Sequence, residues 1–127
     1  MNTEKVVFAF FIVLALTLNF GFCLGEIADP DHHNVFELYA ALVINLIATV
    51  LKFGDRTHMG AVMLATSLVA DLQLICAAVV WALMDHVIEG VEGAHVVASI
   101  VSLAWGALLA NFFSVVLLVV ETATMRR

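Results

Sequence analysis

Charge is scarce in this chain. Charged residues make up 13% of 127 positions, about half the share of a soluble domain. The basic ones are Lys5, Lys52, Arg56, Arg126 and Arg127. That is too few for the Lys/Arg-rich face of a nucleic-acid binder, so no nucleic-acid partner is expected. The two cysteines, Cys23 and Cys76, form no C-x-x-C, which argues against a thiol oxidoreductase. No histidine falls inside the long apolar stretches, so a central bis-histidine haem has no ligands. There is no Gly-rich phosphate loop, nucleophile elbow or zinc-protease motif. The chain is expected not to be an enzyme and to need no organic cofactor.

What is abundant is apolar. Hydrophobic residues reach 64% and mean hydropathy is +1.10, which excludes an ordinary soluble domain and a disordered chain. A helix crosses a bilayer with about 20 mostly apolar residues. Four stretches qualify, at residues 6–24, 35–53, 60–84 and 96–120. Their Leu, Val, Ala and Phe runs lack the alternation of a membrane β-barrel. The first stretch is long enough to be a span rather than a cleaved leader. The expected fold is all-α, a single four-helix antiparallel transmembrane bundle on short loops.

Orientation follows from charge. With four spans all five basic residues fall on one side, and Glu26, Asp29, Asp31, Glu37, Asp85, Glu89 and Glu92 fall on the other. The positive-inside rule then places both termini in the cytoplasm. Gly25 and Gly54 are expected as left-handed helix C-caps. Asp29-Pro30-Asp31 is turn chemistry. Asn34 with Glu37 resembles a capping box opening the second helix.

Inside lipid, small residues and interhelical hydrogen bonds hold helices together. The fourth stretch repeats Ser102, Gly106, Ala110 and Ser114 every four residues, a candidate packing ridge. The second carries Glu37, Ala41, Asn45, Thr49 and Lys52 at helical spacing. Lys52 can snorkel to the interface. Asn45 is glue for a neighbouring helix or the lining of a polar pathway.

Asp71 is the anomaly. It sits near the centre of the third stretch, where a charged Asp costs roughly 2.5–3.5 kcal/mol on insertion scales. Such residues face the bundle interior and mark ion or proton sites. Ser67 lies one turn before it on the same face, and Gln73 about 200° around. Asn45 and Asn111 fall at a similar depth, and Asn19 nearer the outside. Amide and carboxyl oxygens can coordinate a monovalent cation or pass a proton along hydrogen bonds. A protonated Asp71 bonded to Asn45 or Asn111 is also a purely structural element.

The outward loops hold His32, His33, His86 and His95 among acidic residues. Imidazole suits Zn, Cu or Ni, and histidine titrates near neutral pH. No fixed ligand spacing appears, so a hydrated acidic loop is the simpler reading, with a divalent metal site as the other. An acidic mouth also concentrates cations.

Residues 34–75, NVFELYAALVINLIATVLKFGDRTHMGAVMLATSLVADLQLI, resemble a small uncharacterised family of proteobacterial inner-membrane proteins, a domain of unknown function. The opening MNTEKVVFAFFIVLALTLNFGF and the closing SVVLLVVETATMRR are similar too. The resemblance implies a bacterial inner membrane and a faint link with potassium-channel-type proteins. It supplies no active site.

These readings converge on a homo-oligomeric inner-membrane protein that forms or lines a pathway for monovalent cations or protons. Asp71 is the expected site, with Asn45, Asn111, Ser67, Thr49 and Asn19 along the path. One alternative is an accessory subunit of a larger membrane channel, transporter or respiratory complex. Another is an outer-face sensor of metal or pH.

Overall fold

A computed structural model describes residues 3–25, 33–55, 57–86 and 93–124, with side chains for all of these except 84–86 and 93–95. The described residues form four helices and no strand: α1 (Thr3–Cys23), α2 (Val35–Lys52), α3 (His58–His86) and α4 (Gly93–Thr124). Each is long and apolar enough to cross a membrane. Helices are the natural outcome of such runs, because lipid offers no partner to an unpaired backbone N–H or C=O. α3 has 29 residues and α4 has 32. At 1.5 Å per residue these measure about 44 and 48 Å, longer than a hydrocarbon core of about 30 Å. Their ends therefore run past the apolar stretches 60–84 and 96–120.

Local chemistry sets the helix ends. Asn34 Oδ1 accepts from Phe36 N at 2.9 Å and caps α2. Glu37 does not return to Asn34 as a capping box would. Its carboxylate instead lies against Gly21 of α1, in the space a side chain there would fill. Gly25 adopts φ 95° after α1, a region costly for any residue with a Cβ. Gly54 does not; α2 ends with Phe53 in the right-handed region, its N–H bonded to Val50 O. Asp55 then takes over the turn. Its Oδ1 accepts from Thr57 N (2.9 Å) and Thr57 Oγ1 (2.7 Å), and Thr57 Oγ1 accepts from Gly60 N (3.0 Å) at the start of α3.

α1 packs on α2 and α4, and α3 packs on the same two, so the helices form a four-cornered ring. Two apolar clusters fill it. The larger includes Phe22, Leu38, Ala41, Ala70, Leu74, Trp81, Ile100 and Ala107. The smaller holds Phe8, Ile12, Ala48, Met63 and Leu118. Between them in register lies a polar layer. On α2 Asn45 separates Ala41 from Ala48. On α3 Ser67 separates Met63 from Ala70. On α4 Asn111 and Ser114 separate Ala110 from Leu118. All four polar side chains are fully buried. α1 passes this level with Ile12 and Ala15 and adds no polar group.

The four-residue ridge on α4 is not a single packing face. Ser102 is exposed and Gly106 half-buried, whereas Ala110 and Ser114 are buried. A strict repeat of four turns about 40° per step around a helix of 3.6 residues per turn, so it drifts from surface to core. The buried line mixes steps of three and four: Val97, Val101, Ala104, Ala107, Asn111, Ser114, Leu118 and Glu121. Gly106 still has a packing role. The Gln73 amide of α3 occupies the place where its Cβ would be.

Candidate functional site

Asp71 is brought into the polar layer because Ala70, Leu74 and Ala77 direct that face of α3 inward. The residue is 5% exposed, and its carboxylate is met by two donors from α2. Asn45 Nδ2 donates to Oδ1 at 2.7 Å, and Thr49 Oγ1 lies 2.6 Å from Oδ2. Thr49 Oγ1 is also 2.9 Å from Asn45 O, one turn back on its own helix. Asn111 of α4 extends the chain by donating from Nδ2 to Asn45 Oδ1 at 2.6 Å. Three helices are thus tied through Asn45, which has both its amide oxygen and its amide nitrogen engaged. No cationic side chain among the described residues pairs with Asp71.

Two buried oxygens in this layer have no hydrogen-bond partner among the described residues: Ser67 Oγ and Asn111 Oδ1. Ser67 meets the cluster through its backbone instead, its carbonyl accepting from Asn45 Nδ2 at 3.4 Å. One turn toward the Lys52 end, Thr66 and Ser114 join hydroxyls at 2.6 Å beside Met63 O. Thr66 escapes sequence reasoning because a threonine in a helix usually satisfies itself on its own backbone.

Asn19 lies apart from this cluster. Its amide sits along the α4 backbone; the orientation that satisfies both ends puts Nδ2 2.9 Å from Ala104 O and Oδ1 3.1 Å from Leu108 N. It ties α1 to α4 and contacts none of the Asp71 group.

At the Lys52 end of the bundle, charged side chains of the described residues pair with one another. Lys52 is 4% exposed, with Nζ 4.1 Å from the Phe8 ring centre and 3.4 Å from Asp55 Oδ2. It is thus held inside rather than snorkelling freely. Lys5 Nζ pairs with Glu121 Oε1 at 2.7 Å across α1 and α4. A cleft of about 290 Å³ opens here between Glu4, Lys5, Leu51, Lys52 and Asp55. The Thr57 hydroxyl and backbone N–H hold the Asp55 carboxyl below its ordinary range, against a smaller opposing effect of burial and with help from Lys52.

At the opposite end His33 is buried, its Nδ1 2.6 Å from Phe22 O and its ring tilted on Phe22. It closes the C-terminal turn of α1. Among the described residues no three His, Cys, Asp or Glu side chains gather as a metal site. His32 and the side chains of His86 and His95 lie outside the described residues.

Residues 32–122 match the family of unknown function DUF6394, more than half of the chain. The chain belongs to that family. The matched range carries the whole polar layer, from Asn45 and Thr49 through Thr66, Ser67 and Asp71 to Asn111 and Ser114, and leaves Asn19 and Lys5 outside it. No curated protein and no solved structure matches the chain.

Proposed function

We propose that this DUF6394 member is a multi-pass protein of the bacterial inner membrane that forms or lines a pathway for protons or monovalent cations, working as a homo-oligomer. Asp71 is the intramembrane site. One observation carries the reading: a carboxylate at the middle of an apolar bundle, bonded by Asn45 and Thr49 from a second helix and without an ion-pair partner among the described residues. An intramembrane carboxyl needs its charge compensated, by a proton or a cation when no basic side chain does so.

The bundle is read as antiparallel with both termini in the cytoplasm. Contacts that run in opposite directions support this, Lys5 with Glu121, Tyr39 with Ala78, Asn45 with Asp71 and Thr66 with Ser114. Lys5 and Lys52 flank one cleft, which by the positive-inside rule is cytoplasmic. The two apolar clusters close the polar layer on both sides within one chain. Movement past Asp71 therefore requires a seal to part or a second copy to complete the route, which is why oligomerisation belongs to the proposal.

The test is flux in proteoliposomes under potassium, sodium and pH gradients, with native chain and Asp71→Asn. The native protein is expected to conduct one of them and the variant to lose or change that conduction. Folded native protein that moves nothing under any gradient refutes a stand-alone pathway. Consistent co-purification with one larger membrane protein would then favour an accessory subunit.

A further inference from the structure

We infer that Asp71 binds a proton rather than a metal cation, and that the Thr49 hydroxyl is the switch that follows that proton. This deepens the reading of Asp71 as the working site.

The first half rests on which atoms face the carboxylate. A dehydrated alkali cation needs several oxygens converging on one point. Here Asp71 Oδ1 is met by an amide nitrogen, Asn45 Nδ2, and Oδ2 by the Thr49 hydroxyl. The Asn45 oxygen is taken by Asn111 Nδ2. In this layer, among the described residues, Ser67 Oγ and Asn111 Oδ1 remain unpartnered, and two neutral oxygens make a poor cation shell. A metal cation needs more oxygen ligands than these. A proton needs a single acceptor, and Thr49 Oγ1 already lies 2.6 Å from Oδ2.

The second half rests on counting hydrogens. Thr49 has one hydroxyl proton and two acceptors in range, Asp71 Oδ2 at 2.6 Å and Asn45 O at 2.9 Å. With Asp71 ionised, the hydroxyl donates to Oδ2 and leaves Asn45 O. With a proton on Oδ2, Asp71 donates to Thr49 Oγ1 and the Thr49 hydroxyl turns to Asn45 O. Every contact in the set is then a hydrogen bond. The proton comes from water and returns to it, and only O–H bonds are made or broken.

Several charged and titratable groups of the described residues on the packed helices are engaged elsewhere. Lys52 of α2 is held by Phe8 and Asp55. Lys5 of α1 pairs with Glu121 of α4. Glu37 lies against Gly21, and the Tyr39 hydroxyl donates to Ala78 O.

Infrared spectroscopy of the full chain in vesicles tests this without any flux. The expected signal is a protonated-carboxyl band that Asp71→Asn abolishes and that titrates with pH. It should be unchanged when potassium chloride is exchanged for sodium chloride at fixed pH. Thr49→Val should move the band to higher frequency by removing its hydrogen-bond acceptor, and Thr49→Ser should restore it. A band that fades saturably with either cation, or no such band across the pH range in which the chain stays folded, overturns the proton assignment. A Thr49→Val band at the native frequency overturns the switch. If Thr49→Val does not fold, the cation exchange on native protein still decides the first half, and a native band shape for Thr49→Ser that fails to appear refutes the second. Loss of flux with the band intact would refute the pathway and leave the proton site standing.

Discussion

Asn45 is the side chain on which three helices meet, and removing it has a calculable cost. Its two short interhelical bonds are a donation to Asp71 across α2 and α3 and an acceptance from Asn111 across α2 and α4; the third, to Ser67 O, is long at 3.4 Å and adds little. Interhelical hydrogen bonds in a bilayer protein average about 0.6 kcal/mol, with a ceiling near 1.7. Two such bonds make Asn45→Ala worth about 1.2 kcal/mol and at most about 3.4. The upper part of that range is favoured, because the change leaves a buried donor on Asn111 and a buried acceptor on Asp71 unmatched. Asn111→Ala removes one of the bonds, about 0.6 kcal/mol. The double variant loses the shared bond once, so the coupling should be about 0.6–1.7 kcal/mol. The cavity left by each amide enters the single and double variants alike and largely cancels. The assay is reversible unfolding in mixed micelles, with helicity followed as denaturing detergent rises. Single-variant costs that simply add, within about 0.3 kcal/mol, would mean that the Asn45–Asn111 bond is not a stabilising contact and that this account of the polar layer is wrong.

Three further outcomes follow from other contacts. Gly106→Ile should cost about 1–3 kcal/mol by overpacking the α3–α4 seam against Gln73; unfolding midpoints should show partial recovery in the Gly106→Ile, Gln73→Ala pair. His33→Ala should lower stability by about 1–3 kcal/mol, since it strips a buried carbonyl at the end of α1 of its partner; a thermal melt in detergent reads this directly. Asp55 has a depressed folded-state pKa through Thr57 and Lys52, so between its folded and unfolded values the unfolded chain holds more protons. Its contribution is present above the ordinary carboxyl pKa of about 3.9 and is lost as pH falls through the folded value. Stability measured down the acid range should therefore fall less steeply for Asp55→Asn than for the native chain.

Much of the architecture is legible in the sequence, and for a definite reason. Length and unbroken apolarity force a chain into helices where no water can pair its backbone. Asp71 stands out because a carboxylate inside such a stretch is costly wherever it points. Asn34 and Gly25 are readable because their roles are local, one side chain reaching two residues on and one backbone angle. The stripe Ala41, Asn45, Thr49 and Lys52 faces inward as its spacing implies.

The tertiary structure decided everything that depends on which face turns inward. In a soluble helix the apolar face is the buried one. In lipid both faces are apolar, so hydrophobic pattern stops marking the interior and only polar residues report it. That is why Ser102 reads as packing and is exposed, and why Asn19 reads as part of the path and instead ties α1 to α4. Glu37 against Gly21, Lys52 over Phe8 and the Thr66–Ser114 pair each join residues on different helices, and helical spacing carries no record of them. The same holds at the centre: the sequence by itself places a carboxylate in the membrane, while the meeting of α2, α3 and α4 determines that nitrogen and hydroxyl donors, rather than a cage of oxygens, surround it.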